Sequence, residues 1–154
     1  NRLVRALDLS TGPLNFDFIF DKSGELYILE LGPRNGGCRI PEIAKLATGV
    51  DMISATVEQS IGSKIEIEGG ESIVGKWATF MLHAQTNGTF RGLLLSREVA
   101  SQIIDLDIWI PEGSEIKEYV GSDDAVGSSL LRLADGTNTE NLIRTLCGCL
   151  VQEF

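Results

Sequence analysis

The chain has little cysteine, histidine, aromatic side chain or positive charge, and no long apolar run. Cysteine occurs three times in 154 residues. The spacing of Cys38, Cys147 and Cys149 fits no disulfide framework, which points to a reducing compartment, the cytoplasm. Cys147-Gly148-Cys149 has no further His or Cys near it in sequence to complete a metal site, so it reads as two small residues on a terminal helix. The only histidine, His83, sits in an apolar stretch and reads as a core or rim residue rather than a general base. Gly-x-Ser-x-Gly, His-Glu-x-x-His and Walker-type loops are all absent, which removes the hydrolase and P-loop readings. Basic residues number 13 against 22 acidic ones, for a net charge of -9. Such a chain repels a phosphate backbone, so nucleic acid is excluded as a partner. A nucleotide binds only where arginine or a divalent cation reverses the charge locally. No signal peptide and no run of about 18 apolar residues is present, so no membrane partner is expected. Aromatics make up only 6%, but the hydrophobic share of 43% is that of an ordinary globular chain. The length suffices for one sizeable core.

Seventeen glycines indicate many turns. Residues 1–7 read as a short amphipathic helix with no initiating methionine, which predicts a piece of a longer protein. Residues 14–20 alternate apolar and polar, as do residues 26–32, and Asp21-Lys22-Ser23-Gly24 between them reads as a turn. This is a β-hairpin. Pro41 suits the first turn of a helix over residues 40–48, ended by Gly49. Asp51 is the expected N-cap of a second helix to Ser60, closed by Gly62. Beyond Gly69-Gly70 strands are expected at 72–83, 92–96, 115–120 and 127–134, with a helical leaning at 96–103. A last helix is expected at 139–152, capped by Thr139. Trp77 and Trp109 read as packing residues. The expected organisation is α+β, an antiparallel sheet with flanking helices over residues 1–62 and a small β-rich subdomain with a terminal helix over 63–154.

The hairpin carries the first candidate chemistry. With a four-residue turn, Phe20 faces Glu25, Asn15 faces Glu30 and Asp17 faces Ile28. Asp17 and Glu30 are then diagonal neighbours on one face, roughly 7–8 Å apart at Cα. A one-residue change of register would put them on opposite faces. Phe16, Phe18 and Phe20 line the other face, which is expected to belong to the core. The acidic face carries Asn15, Asp17, Ile19, Ile28, Glu30 and Gly32. Neighbouring carboxylates repel unless a cation lies between them, and hard oxygen ligands suit magnesium.

Directly after Glu30 comes Leu31-Gly32-Pro33-Arg34-Asn35-Gly36-Gly37-Cys38-Arg39. Arginine grips oxyanions through its two-pronged fork. Glycines let the backbone approach a ligand and expose N–H groups, and the loop runs into a helix N-terminus, which favours negative charge.

Hairpin and loop together resemble the ATP-grasp superfamily, whose pattern is an acid on one strand and a Glu-x-Asn-x-Arg end to the next. Asp17 matches the first acid, Glu30 the glutamate and Arg34 the arginine. The run from Ile40 to Asp51, with Ala47-Thr48-Gly49, is similar to the carbamoyl phosphate synthase branch, and the later strands to the L-amino acid ligases. The resemblance implies ATP and Mg2+ (or Mn2+) as cofactors, with Asp17 and Glu30 as metal ligands. It implies that Ile19 packs on the adenine, that Arg34 stabilises the reacting acyl phosphate or substrate, and that the substrates are a small carboxylate and an amine. The family's asparagine falls on Gly32, so Asn15 or Asn35 is expected to supply an oxygen, or the second metal site is altered. A degenerate, non-catalytic relative and a protein-interaction domain are the alternatives. The family's phosphate-covering glycine loop and lysines belong to an N-terminal ATP-grasp part, expected elsewhere in the same protein. The 154 residues alone are therefore expected to be inactive. A homodimer is allowed for.

Overall fold

A computed structural model describes residues 2–70 and 72–153. The chain divides into two compact units, Asn1–Ile73 and Val74–Phe154. It is α+β, and every pairing between its strands is antiparallel.

The first unit holds α1 (Arg2–Ala6), the hairpin β1 (Asn15–Phe20) and β2 (Leu26–Gly32), then α2 (Ile40–Thr48) and α3 (Met52–Ser60). Both longer helices take the expected bounds because their ends carry strong local signals. Pro41 stands in the first turn of α2, and Gly49 stops it in a left-handed conformation, its N–H donating to the Lys45 carbonyl at 2.9 Å. Asp51 caps α3 by accepting from the Ser54 N–H at 2.9 Å.

The hairpin departs from its expected register. Phe20 faces Leu26, not Glu25, because the turn is five residues long. Asp21 sets that length: its Oδ1 accepts from the Ser23 N–H and hydroxyl and from the Glu25 N–H, which draws Glu25 into the turn. These bonds, that to the Ser23 hydroxyl foremost, hold the Asp21 carboxyl below the usual carboxylate range. The longer turn alone would carry Glu30 to the opposite face from Asp17. A β-bulge after Asp17 absorbs the extra residue at Leu29 and restores the face. Asp17 therefore lies directly opposite Glu30 rather than diagonal to it, Asn15 lies opposite Gly32, and Tyr27, not Ile28, joins Ile19 on the acidic face.

The apolar face does not lie in a core. Phe16, Phe18 and Phe20 are 37%, 49% and 63% exposed. Among the described residues of this unit, only Pro41 is buried. Two strands have too little surface to cover themselves.

The second unit holds β3 (Lys76–His83), β4 (Gly88–Leu93), α4 (Arg97–Ala100), β5 (Ile103–Ile108), β6 (Glu115–Ile116), β7 (Ala125–Leu133), α5 (Thr139–Cys147) and β8 (Leu150–Glu153). The strands form two sheets, ordered β3-β7-β5 and β6-β4-β8. One buried cluster gathers Leu82, Ala84, Phe90, Ile116, Val126 and Cys149, and a second Val99, Leu131, Leu142 and Leu146. β7 contributes to both, and even its Ser128 and Ser129 are buried. Gly127 admits no side chain there, since a Cβ would stand 2.5 Å from the Asp107 carbonyl oxygen.

Several expected boundaries in this half are corrected. The first strand starts at Lys76, after Gly75 in a left-handed conformation, and the strand expected at 115–120 pairs only over Glu115–Ile116. The strand expected at 92–96 is Gly88–Leu93, and the one expected at 127–134 is Ala125–Leu133. Within 96–103 the helix is Arg97–Ala100, started by Ser96, whose Oγ accepts from the Val99 N–H. β5 was not expected; its Asp105 and Asp107 alternate with Leu106 and Ile108, the period-two signal of a strand. The last helix is capped by Asn138, not Thr139, and stops at Cys147. The spacing of Leu142, Leu146 and Leu150 mimics a continuing helix, but Gly148 ends it and Leu150 turns to pair with Leu93. The two cysteines thus flank a helix end rather than share a helix; burial pushes the Cys149 thiol up to about 11. Trp109 is 49% exposed, its indole N–H donating to Asp107, whereas Trp77 lies under the Arg132 guanidinium. His83 packs beside the rings of Phe80 and Tyr119 with Nδ1 2.9 Å from the Met81 carbonyl oxygen.

Candidate functional site

β1 and β2 set the two acids on one open face. Asp17 and Glu30 are paired residues of the ladder, about 4.5–5.5 Å apart at Cα in such a pair. Both are exposed. Like charges directly opposite destabilise a hairpin unless something cationic joins them. Asn15 bears on the same place, donating from Nδ2 to Asp17 Oδ1 at 3.4 Å. Ile19 and Tyr27 extend the face as an apolar step, about half exposed at 51% and 47%.

The chain leaves β2 through a tight turn, the Arg34 N–H donating to the Gly32 carbonyl at 2.8 Å. Arg34 is exposed, its Nη1 donating to the Asn35 carbonyl, and its stem lies over Gly32, Cγ standing 3.5 Å from where a Cβ would be. Asn35 is half-buried and ties the loop to α3, its Nδ2 donating to Thr56 Oγ1 at 3.0 Å. Its Oδ1 is buried with no partner. Gly36 passes so close to β1 that a Cβ would stand 3.0 Å from Asn15 Oδ1. Cys38 and Arg39 are both left-handed, an uncommon conformation for residues with a Cβ, and Arg39 pairs with Glu42 at 3.2 Å on the first turn of α2.

The structure thus brings Asn15, Asp17, Ile19 and Glu30 onto one face and sets Arg34 and Asn35 in the loop that follows it. Among the described residues no three His, Cys, Asp or Glu side chains converge as a metal cluster, so the hairpin's acids stand as a pair. Tyr27 is the member of the face that sequence reasoning missed; an Asx turn beginning at Asp21 was the signal that could have lengthened the loop and moved it there. A separate cleft of about 340 Å³ in the same unit is lined by Pro13, Met52, Ala55, Thr56, Gln59 and Ile67 among others, and none of the sequence-predicted site residues lines it.

No family model matches the chain. An uncharacterised protein, y4rH of Sinorhizobium fredii, is 29% identical over 122 residues, which are 77% of this chain and 23% of that protein. L-amino acid ligase from Bacillus licheniformis superposes with a TM-score of 0.78 at 23% identity, over 98% of this chain and 40% of the ligase. Phosphoribosylglycinamide synthetase from Anaerococcus prevotii gives 0.77 at 19%, over 98% of this chain and 39% of the synthetase. The biotin carboxylase domain of Hydrogenobacter thermophilus 2-oxoglutarate carboxylase, a structure in complex with MgADP and bicarbonate, gives 0.63 at 15%, over 90% of this chain and 32% of that one. The chain spans about two fifths of the length of the L-amino acid ligase and of the synthetase, and under a quarter of its curated relative. Among the described residues no helix is long and apolar enough to cross a membrane. The chain shares its fold with part of each of these three solved structures.

Proposed function

We propose that the protein is an ATP-dependent ligase that activates a small carboxylate as an acyl phosphate, which an amine-type nucleophile then attacks to form an amide-type bond. The observation that carries this reading is Asp17 directly opposite Glu30 on one face, with Arg34 in the loop that leaves the same strand. The carboxylates are hard oxygen donors of the kind that suits Mg2+ or Mn2+. Asn35 keeps a buried side-chain oxygen with no partner, the kind of acceptor that a bound group could satisfy. The metal, when bound, would neutralise phosphate charge. Asp17 and Glu30 would hold it, Arg34 would grip the transferring phosphoryl group or the substrate oxyanion, and Ile19 would pack on the adenine. Catalysis would be mainly electrostatic.

The reading includes a partner, the N-terminal ATP-grasp part of the same protein, supplying the remaining phosphate-binding groups. The exposed Phe16, Phe18 and Phe20 face and the short span relative to the solved ligases support it. The 154 residues alone are then inactive. A cytoplasmic location and a homodimer are compatible with this reading. Alanine at Asp17 or Glu30 in the protein that carries this chain should abolish ADP release with a panel of carboxylates and amines, and wild-type rates in either variant refute it. One observation favours a second reading, ligand binding without catalysis: Gly32 stands where the family pattern has asparagine. That reading predicts nucleotide binding and no ADP release with any member of the panel.

A further inference from the structure

Arg34 stands on an exposed loop, where a long side chain is free to sample many rotamers. One bond restrains its guanidinium, Nη1 donating to the Asn35 main-chain carbonyl at 2.9 Å. That carbonyl is only as steady as the residue that carries it. Asn35 is steadied from α3, its side-chain Nδ2 donating to Thr56 Oγ1 at 3.0 Å. Thr56 is in turn fixed on its own helix, its hydroxyl donating to the Met52 carbonyl at 2.7 Å. We propose that Thr56 is a positioning residue for Arg34, acting through Asn35, a reading that rests on the role proposed for Arg34 above.

The protons allow this link to run in one direction only. A threonine hydroxyl has one proton, and Thr56 gives it to Met52, so Oγ1 can only accept from the loop. Asn35 therefore has to present Nδ2, and its Oδ1 is left buried without a partner. A buried acceptor left unused is a cost to the fold, so stability alone does not account for the asparagine. The rest of the loop is fitted closely around the same link. The Arg34 N–H donates to the Gly32 carbonyl at 2.8 Å, and the arginine stem lies over Gly32, Cγ standing 3.5 Å from where a Cβ would be. Gly36 leaves little space for a side chain, since a Cβ would stand 3.0 Å from Asn15 Oδ1 and 3.1 Å from Ile40. The arginine is thus held near its stem by the end of β2 and at its guanidinium by Asn35, and Thr56 anchors Asn35 to a helix.

The spectroscopic test needs no activity and uses the whole 154-residue chain labelled with 15N. The heteronuclear Overhauser effect of the Arg34 Nε–H group should exceed that of Arg97, which is exposed on α4. Thr56→Val keeps the shape of the side chain and removes the acceptor, so it should bring the Arg34 value down to that of Arg97. Thr56→Ser should leave it near wild type. Asn35→Ala cuts the link from the loop side and should match Thr56→Val. Unshifted amide signals of Ser54 and Ala55 report an intact α3. An Arg34 value that Thr56→Val does not move overturns the proposal, and so does one that Thr56→Ser lowers as much. In the protein that carries this chain, Thr56→Val should lower kcat for ADP release about tenfold, with KM for ATP and the melting temperature little changed and Thr56→Ser near wild type. A slow Arg34→Ala beside an unchanged Thr56→Val dismisses Thr56 alone. Wild-type ADP release from Arg34→Ala removes the role of Arg34 and this proposal with it.

Discussion

The two units bury their apolar residues very differently. In Val74–Phe154 two buried clusters share one strand, β7, whose Val126 and Leu131 are 5% and 0% exposed. In Asn1–Ile73 the three phenylalanines of β1 are at least 37% exposed, and the hairpin is held by ladder bonds and the Asp21 turn. The hairpin shows acids on one face and half-exposed phenylalanines on the other. The second unit holds both buried clusters, and the first carries the candidate site.

The largest effect should come from the same kind of truncation made in each unit. Leu131→Ala should cost about 2–5 kcal/mol by emptying a closed core. Phe18→Ala should cost about 0.5 kcal/mol or less in this chain, as an exposed substitution does. Both tryptophans, Trp77 and Trp109, lie in the second unit, so their fluorescence in a denaturant titration reads Leu131→Ala, and far-UV circular dichroism, which also sees the helices of the first unit, reads Phe18→Ala. Equal losses for the two variants would erase the contrast. If the N-terminal part covers the phenylalanines, Phe18→Ala should become costly in the longer protein.

Gly127→Ala is the next test, because its Cβ would meet the Asp107 backbone at 2.5 Å. A marked fall in melting temperature is expected, against almost none for Gly24→Ala's open turn position beyond the strain of its left-handed backbone. Amide exchange should show the contrast without any substitution: β1 and β2 should exchange well before β7.

A smaller effect separates the helix caps by pH. The Lys45 ammonium beside Asp51, with the Ser54 N–H and hydroxyl, holds its carboxyl down to about 2 from 3.8. Because the folded value is depressed, its stabilising contribution is complete above the unfolded value and is lost as pH falls through about 2. The α3 amide signals should keep their native positions at pH 4 and shift near pH 2, a step that Asp51→Asn removes. The finest contrast is between thiols: exposed Cys38 should be alkylated at neutral pH well before buried Cys149, whose thiol is held near 11.

Much of the first unit was legible because its signals are local. Pro41 and Gly49 bound α2, Asp51 begins α3, and strict alternation marks both strands, none of which needs a distant contact. The second unit was less legible because distant pairings decide it. Leu150 continues the helical spacing of Leu142 and Leu146, yet it pairs with Leu93, fifty-odd residues earlier in the chain. β5 carries a local signal in its alternating Asp105, Leu106, Asp107 and Ile108, masked by the helical run before it.

The candidate site divides along the same line. Residue types alone determined that Asp17, Glu30 and Arg34 fall on a hairpin and its exit loop, because carboxylates on an alternating strand and arginine among glycines are local facts. Only the tertiary structure decided that the acids face each other. The five-residue turn moves the register one way and the bulge at Leu29 moves it back, and strand pairing is where those two steps are summed. The same pairing set Asn15 over Gly32, a relation between two strands that no reading of either strand alone contains.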